Sequence, residues 1–421
     1  AIVTKKRCVK IPEKITEFLV VELSNHLFLQ EQFAFDYDYK EYMPIRSNKL
    51  AKNITILFLP RSIHTISSAA FSQDCDDCFE VDNIINYFPE NKINDTNYLA
   101  WVEVDERNNV FKSINGVLYD KYLTKLLFVP FITDISYEQI PKSIRFIGDF
   151  AVGFNKLISH FIIPTSIKGI GNFAFYNCME LVTVILPPSL EIIESYAFAN
   201  CVKITDIKFP TSLVKIGHSA FENTGITKIV FPQDSKIRNI SNSFSGCSNL
   251  ESIHLPEGFL SVEIDTFNLC NSLKRIYIPK TVNTIQLGEF FFKQYLEQIN
   301  VSSDNPFFYS EDGVLFDANH KTLLRYPSGK SNRTYEVPSG TETIFWKAFE
   351  GCNKLFSITL PSSLKRINDF AFFNCIKLRD VKIQPGLKKI GLRAFVSCLK
   401  LKRIFIPKSV TNIGELAFFE L

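Results

Sequence analysis

The stretch CMELVTVILPPSLEIIESYAF, residues 178–198, contains every recurring position of a repeat that is found along the chain. Its last and first residues belong to two columns that return every 23 residues. The phenylalanine column consists of Phe175, Phe198, Phe221, Phe244, Phe267 and Phe290, and it resumes with Phe349, Phe372, Phe395 and Phe418. The cysteine column consists of Cys178, Cys201, Cys247, Cys270, Cys352, Cys375 and Cys398, with Thr224 once in its place. A fixed period of this length predicts a solenoid of stacked coils.

Each unit contains a short β-branched segment that ends at a proline, such as LVTVILP at 181–187 and LKRIYIP at 273–279. This composition and its alternation predict a strand, and the proline, which has no N–H to donate, ends the strand at the same place in every coil. The next segment, SLEIIESYAF at 189–198, predicts a second extended piece followed by about one helical turn. Each column Phe is predicted to stack on the next, with burial worth roughly 2 kcal/mol per ring.

Two longer units interrupt the period. VEVDERNNVFKSINGVLYD at 102–120 aligns without gaps on INVSSDNPFFYSEDGVLFD at 299–317. Their offset of 197 residues equals one 36-residue unit plus seven units of 23 residues. Asn115-Gly116 and Asp312-Gly313 can supply the positive φ angles of a tight turn. We therefore predict β-hairpin islands at 105–140 and 302–337.

The period also sets the domain boundaries. Pro60 and Phe71 keep the spacing between proline and phenylalanine, so the solenoid is predicted to cover residues 54–421. Residues 1–59 follow the period poorly and are predicted to cap the open end of the core. Within them, residues 15–35 fit either a helix or degenerate coils. Leu421 stands where the next cysteine would fall, so we expect the array to be truncated in the middle of a repeat.

These columns and islands resemble the BspA-like branch of leucine-rich repeats, the bacterial surface antigen type. The resemblance covers residues 54–421 and implies an α/β, β-rich solenoid of 23-residue coils. It also implies a surface protein of the kind that bacteria and anaerobic protists use for adhesion and for binding host proteins. The opening AIVTKKR lacks the apolar core of a signal peptide, and no run of 18 apolar residues predicts a membrane span. The cell surface and the cytoplasm therefore both remain as predicted locations.

Charge and motifs argue against several classes of function. The chain has 47 basic and 44 acidic residues without a block of like charge, so nucleic acid is not an expected partner. Its six histidines have no H-x-x-x-H spacing, and Gly329-Lys330-Ser331 lacks the earlier glycine of a phosphate-binding loop. Cys75 and Cys78 lack two further zinc ligands nearby. We predict no enzyme activity, no cofactor and no metal site.

The cysteine column has two readings. Neighbouring column cysteines in adjacent coils are predicted to lie about 5 Å apart, which is within disulfide range. A small, polarizable thiol also packs well in a corner of the core. Free, buried thiols are the favoured prediction.

The strand positions two and four after the first leucine of a unit are predicted to face away from the core. From these positions the candidate partner-binding residues are His160, Ile162, Thr183, Ile185, Asp206, Lys208, Lys228, Val230, Ser252, His254, Arg275, Tyr277 and Phe405. Several are apolar, as in a protein interface, although the β-propensity of an open sheet explains them equally well. Phe307-Phe308-Tyr309, in the second island, is a rival site.

Together these features predict a non-enzymatic scaffold that binds a protein partner through its sheet face. The resemblance favours a surface or adhesion protein. The alternative is an intracellular structural scaffold, a cytoskeletal or assembly component, in which the buried cysteines stay reduced.

Overall fold

The computed structural model describes residues 101–130, 135–240, 242–262, 267–287 and 295–420, together with short segments between residues 8 and 66. The chain divides into two compact units, Ala1–Thr224 and Gly225–Leu421, and each is described by itself. Each unit is a β-solenoid. A typical coil contains two strands. The strand just before the proline belongs to what we call the front sheet, and the shorter strand after the proline belongs to what we call the back sheet.

In the first unit the front strands pair in parallel within two groups, and the back strands form one seven-stranded sheet. The front strands are Cys8–Lys10, Ile56–Leu59 and Trp101–Val104, and then His160–Ile162 and Thr183–Ile185. The back strands are Phe111–Ile114, Val117–Asp120, Lys125–Phe128, Phe146–Ile147, Gly169–Ile170, Ile192–Ile193 and Lys215–Ile216. Two further pairs join Lys14–Ile15 to Phe18–Leu19 and Glu22–Leu23 to Thr65–Ile66.

The second unit repeats this arrangement. Its front strands are Lys228–Val230, Ser252–His254, Arg275–Ile278 and Gln298–Val301 in one sheet, and Thr334–Glu336, Ser357–Leu360 and Asp380–Ile383 in another. Its back strands are Ser261–Val262 and Thr284–Ile285, and then Phe308–Glu311, Val314–Asp317, Thr322–Arg325, Thr343–Ile344, Arg366–Ile367, Lys389–Ile390 and Asn412–Ile413.

The strand register reproduces the sequence period. In the back sheet of the first unit, Ile147 pairs with Ile170, Ile170 with Ile193, and Ile193 with Ile216. Every partner lies 23 residues further along the chain. Parallel strands need a crossover connection, and here the rest of each coil provides it.

Each island is a three-stranded antiparallel sheet, one strand more than a hairpin. In the first island, Phe111–Ile114 pairs with Val117–Asp120, which pairs with Lys125–Phe128. The third strand then pairs in parallel with Phe146–Ile147, so the island extends the back sheet. Asn115 and Gly116 form the tight turn with φ angles of 51° and 79°. The second island has the same strands 197 residues later.

The segment after the back strand is not the helical turn that the sequence predicts. In the coil at 189–200 it is a run of turns in which Tyr196 and Asn200 have positive φ angles of 56° and 62°. This conformation directs backbone groups toward the next coil, where the N–H groups of Phe198 and Asn200 donate to carbonyl oxygens at 2.7 and 2.8 Å. The turns therefore form a third row of hydrogen bonds between coils. Tyr137–Gln139 forms a 3₁₀ turn in the first unit.

The predicted phenylalanine column is confirmed as the centre of the core. Phe175, Phe198 and Phe221 are fully buried in the first unit, with ring centroids 4.9 and 5.3 Å apart along the stack. In the second unit the stack runs through Phe349, Phe372, Phe395 and Phe418 at spacings of 4.8, 4.8 and 5.5 Å.

All seven column cysteines are buried free thiols in this structure. The thiol of Cys201 donates to the carbonyl oxygen of Phe175, 3.0 Å away in the preceding coil, and Cys375 does the same to Phe349. A small residue with a weak donor is therefore suited to this corner. Burial raises the pKa of both thiols well above the usual range.

Two buried asparagines bond to backbone groups of the core; Asn155 occupies the phase of Cys178 in the next coil, and Asn305 occupies the phase of Val282 in the preceding coil. The Asn155 side chain donates to the carbonyl of Pro130 and accepts from the N–H groups of Leu157 and Ile158. In the second island Asn305 donates to the carbonyls of Pro279 and Val282, each at 2.9 Å. The amide thus satisfies backbone groups that would otherwise be buried without partners.

Several sequence predictions fall outside the described residues. They concern Cys75, Cys78, Phe71, Phe290 and most of the proposed cap at 1–59. The boundaries of the solenoid domain and the islands stay predictions.

Candidate protein-binding surface

In the first unit the outward positions of two neighbouring coils are in register. His160 pairs with Thr183 and Ile162 with Ile185, and all four side chains are exposed. The residues between them, Phe161 and Val184, point into the core. Ile162 and Ile185 are 42% and 51% exposed, so they form a small apolar patch beside the polar side chains of His160 and Thr183.

In the second unit the outward residues form two parallel columns. Lys228, Ser252 and Arg275 make one column, and Val230, His254 and Tyr277 make the other. The rings of His254 and Tyr277 stack with their centroids 3.7 Å apart. Partial burial, and then the charge of Lys228, lower the pKa of His254 from its ordinary value. The neutral imidazole is therefore favoured on this face.

The remaining predicted site residues lie on coils without an assigned front strand. Asp206 and Lys208 are exposed on either side of buried Ile207 in the first unit. Phe405, in the second unit, is 82% exposed, which makes it one of the two most exposed large apolar side chains described. The structure thus places every candidate side chain on the solvent side of its coil, and the binding role of these residues stays a prediction.

The aromatic run of the second island is less open than the sequence predicts. Phe307 is about half exposed, whereas Phe308 and Tyr309 are partly buried. The Tyr309 ring stacks on His320 at 3.8 Å. These contacts occupy one face of the tyrosine and reduce the apolar area left for a partner.

Two structural findings bear on other kinds of site. Within the residues that the structure describes, no group of three His, Cys, Asp or Glu side chains is placed to hold a metal ion. Nor do those segments contain a helix with the length and apolar character of a membrane crossing.

Sequence reasoning missed a second feature of the solvent side, a set of cations in the last coils. Lys377 and Lys400 are 23 residues apart and occupy the same phase of neighbouring coils. A search for runs of like charge along the chain cannot detect them. Reading the charges phase by phase would have found them.

Comparison with known proteins agrees with this architecture. The sequence model of the BspA type leucine rich repeat region, in six copies, matches residues 128–242, 234–311 and 328–421. No curated protein matches the sequence.

Three solved structures illustrate the similarity. The first, a leucine rich cell surface protein from Faecalibacterium prausnitzii, is 26% identical, with 73% of this chain and 86% of that chain covered and a TM-score of 0.49. A leucine-rich repeat protein from Bacteroides ovatus is 22% identical, with 74% of this chain and 89% of that chain covered and a TM-score of 0.48. The pneumococcal vaccine antigen PcpA is 28% identical, with 73% of this chain and 66% of that chain covered and a TM-score of 0.37. With its repeat matched over more than half of its length, the chain belongs to the BspA-type leucine-rich repeat family.

Proposed function

We propose that this protein is a non-enzymatic scaffold that binds a protein partner through the front-sheet face of its solenoid. Leucine-rich-repeat families are typically binding scaffolds. The observation that carries the proposal is the exposed apolar content of the front-sheet face within each unit, with Ile162 and Ile185 42% and 51% exposed in the first unit and Val230 46% exposed in the second. Exposed apolar side chains in register across coils favour a protein interface.

The finer proposal is a surface protein that takes part in adhesion. Its support is the family relationship together with an extended face that an apposed protein can reach. A specific alternative is an intracellular structural scaffold, which the seven free column thiols favour. Because disulfides form and persist in oxidising compartments, the state of these thiols in the native protein distinguishes the two.

Cross-linking and mass spectrometry on the protein in its native source test the binding proposal directly. Cross-links from front-sheet residues to one partner are the expected result, and that partner is then tested against Ile185→Glu and Tyr277→Glu. We expect both variants to fold normally and to bind the partner more weakly. Unchanged binding would move the interface away from the front sheet. Thiols counted in the same material, without a reductant, decide between the surface and intracellular alternatives.

A further inference from the structure

The last coils of the second unit concentrate positive charge. Residues 351–410 contain 13 basic and 2 acidic residues, a net charge of +11 in a chain whose total is +3. The preceding part of the unit, residues 225–350, contains 12 basic and 14 acidic residues. The excess is therefore local to these coils.

Earlier coils show how charges at one phase interact. In the first unit Glu180 and Lys203, two residues after their cysteines, form an ion pair across neighbouring coils. In the second unit Glu251 and Lys274, four residues after theirs, do the same with 3.2 Å between carboxylate and ammonium. Both phases thus bring side chains of adjacent coils within ion-pair distance.

The last coils occupy the same two phases with cations. Lys377 and Lys400 stand in the first phase, and Arg379 and Lys402 stand in the second. All four side chains are exposed, and none of them forms an ion pair with any described carboxylate. The opposite charges that pair in these two earlier cases are replaced here by like charges that repel. Lys382 and Arg403 add two exposed cations at outward positions of the same coils, where the exposed Asp380 occupies the phase of Arg403 in the preceding coil.

We propose that this cationic face, defined as Lys377, Arg379, Lys382, Lys400, Lys402 and Arg403, binds an acidic segment of a protein partner. The proposal rests on the proposed function and names the chemistry of one partner. Carboxylates on such a segment would pair with these cations, as Glu180 pairs with Lys203 and Glu251 with Lys274 in the earlier coils.

Two observations favour a short acidic peptide over a long polyanion. The six residues of the face lie on two neighbouring coils, which span about 10 Å in the stacking direction, and the preceding residues 225–350 have a net charge of −2, so the excess of positive charge does not continue there. The guanidinium groups of Arg333 and Arg379, from the coils before and after Phe356, lie over its ring, 5.5 and 5.2 Å from the centroid. These contacts compete with the stacking of a nucleobase on that ring.

Fluorescence anisotropy with the full chain and a labelled decaglutamate peptide tests the proposal. We expect decaglutamate to bind and decaglutamine not to bind at 50 mM salt, and binding to weaken at least about tenfold at 500 mM salt. The variant Lys377→Glu/Arg379→Glu/Lys400→Glu should weaken binding by at least about tenfold. The matched control Lys365→Glu/Lys388→Glu/Lys389→Glu carries the same charge change on and beside the back sheet and should change binding less than about twofold. Circular dichroism of all variants checks that the fold is kept.

Three outcomes would overturn the proposal. They are no decaglutamate binding at low salt, equal weakening by the test and control variants, and tighter binding of a single-stranded oligonucleotide or of phosphatidylserine vesicles than of the peptide. The proposed function fails separately, because it is tested with the native partner and with variants at Ile185 and Tyr277.

Discussion

The imidazole ring of His254 stacks on the phenol ring of Tyr277, with centroids 3.7 Å apart and planes inclined by 17°. The two residues occupy equivalent positions in neighbouring coils, so the stack follows directly from the parallel register of their strands. Burial by this contact disfavours the charged imidazolium, and the nearby Lys228 acts in the same direction.

His254 is therefore expected to titrate below the pKa of a histidine in the unfolded chain. Since its folded pKa is lowered, its contribution to stability is complete above the unfolded pKa and is lost as the pH falls through the folded value. Tyr277→Ala should raise the pKa of His254 more than Lys228→Gln does, because burial is the larger cause. NMR titration of the ring protons measures both shifts. An unchanged pKa in Tyr277→Ala would contradict the role of the stack.

The phenylalanine column predicts a large loss of stability on truncation. Phe221 is fully buried and stacks on Phe198. Phe221→Ala should lower the free energy of unfolding by about 3 to 5 kcal/mol, because it removes a buried ring and leaves a cavity. Phe146→Ala is the control, since Phe146 is nearly half exposed, and should cost less than about 1 kcal/mol. Urea unfolding measures both values, and equal midpoints would refute the column as the main stabiliser.

The column thiols are expected to be unreactive in the native protein. Burial raises the pKa of Cys201 and Cys375, which leaves very little thiolate at pH 8, and it also shields the sulfur atoms. In a variant with serine at Cys8, Cys75 and Cys78, an aromatic disulfide reagent should modify no thiol before unfolding. It should modify all seven after unfolding in guanidinium. Rapid reaction of the native protein, or fewer than seven thiols afterwards, would contradict buried free cysteines.

Asn305 is predicted to be the most sensitive asparagine of the second island. Its side chain donates two hydrogen bonds and accepts two more from the N–H groups of Phe307 and Phe308, each at 2.8 Å. Asn305→Ala should cost at least about 3 kcal/mol, because four backbone groups lose their partner. Asn332→Ala, at an exposed position, should cost less than about 0.5 kcal/mol. Similar thermal shifts for the two variants would mean that water replaces the amide.

Much of this fold could be read from the sequence because its main interactions repeat. The recurrence of Phe175 at Phe198 and Phe221 specifies the core column, and the alternation around Phe161 and Val184 specifies which side chains are exposed. The positive φ angles that replace the predicted helical turn were readable only in part. The second of the two in a coil often falls on asparagine, as at Asn177, Asn200 and Asn374, a residue type that favours that region. The first falls on residues such as Phe173 and Tyr196, which have no intrinsic preference for it, so stacking of the coils must impose it.

The candidate surface was likewise predictable from the sequence only in part. Outward positions follow from strand alternation, which is local, and were predicted correctly as solvent-facing. Contacts between outward residues, such as the stack of His254 on Tyr277, depend on register between coils. The cationic face was missed for the same reason, because Lys377 and Lys400 become neighbours only when the chain has completed a coil.

The turns at positive φ have a mechanical consequence. Together with the front and back strands, they give the coils at 160–182, 334–356 and 357–379 three rows of hydrogen bonds to the next coil, all directed along the stack. A pull on an exposed end of a unit therefore detaches its terminal coil while the inner coils stay bonded. Each detached coil releases 23 residues, which extend to about 80 Å. Under load a unit is thus expected to lengthen in equal steps, absorbing work at each one, rather than rupture at a single point.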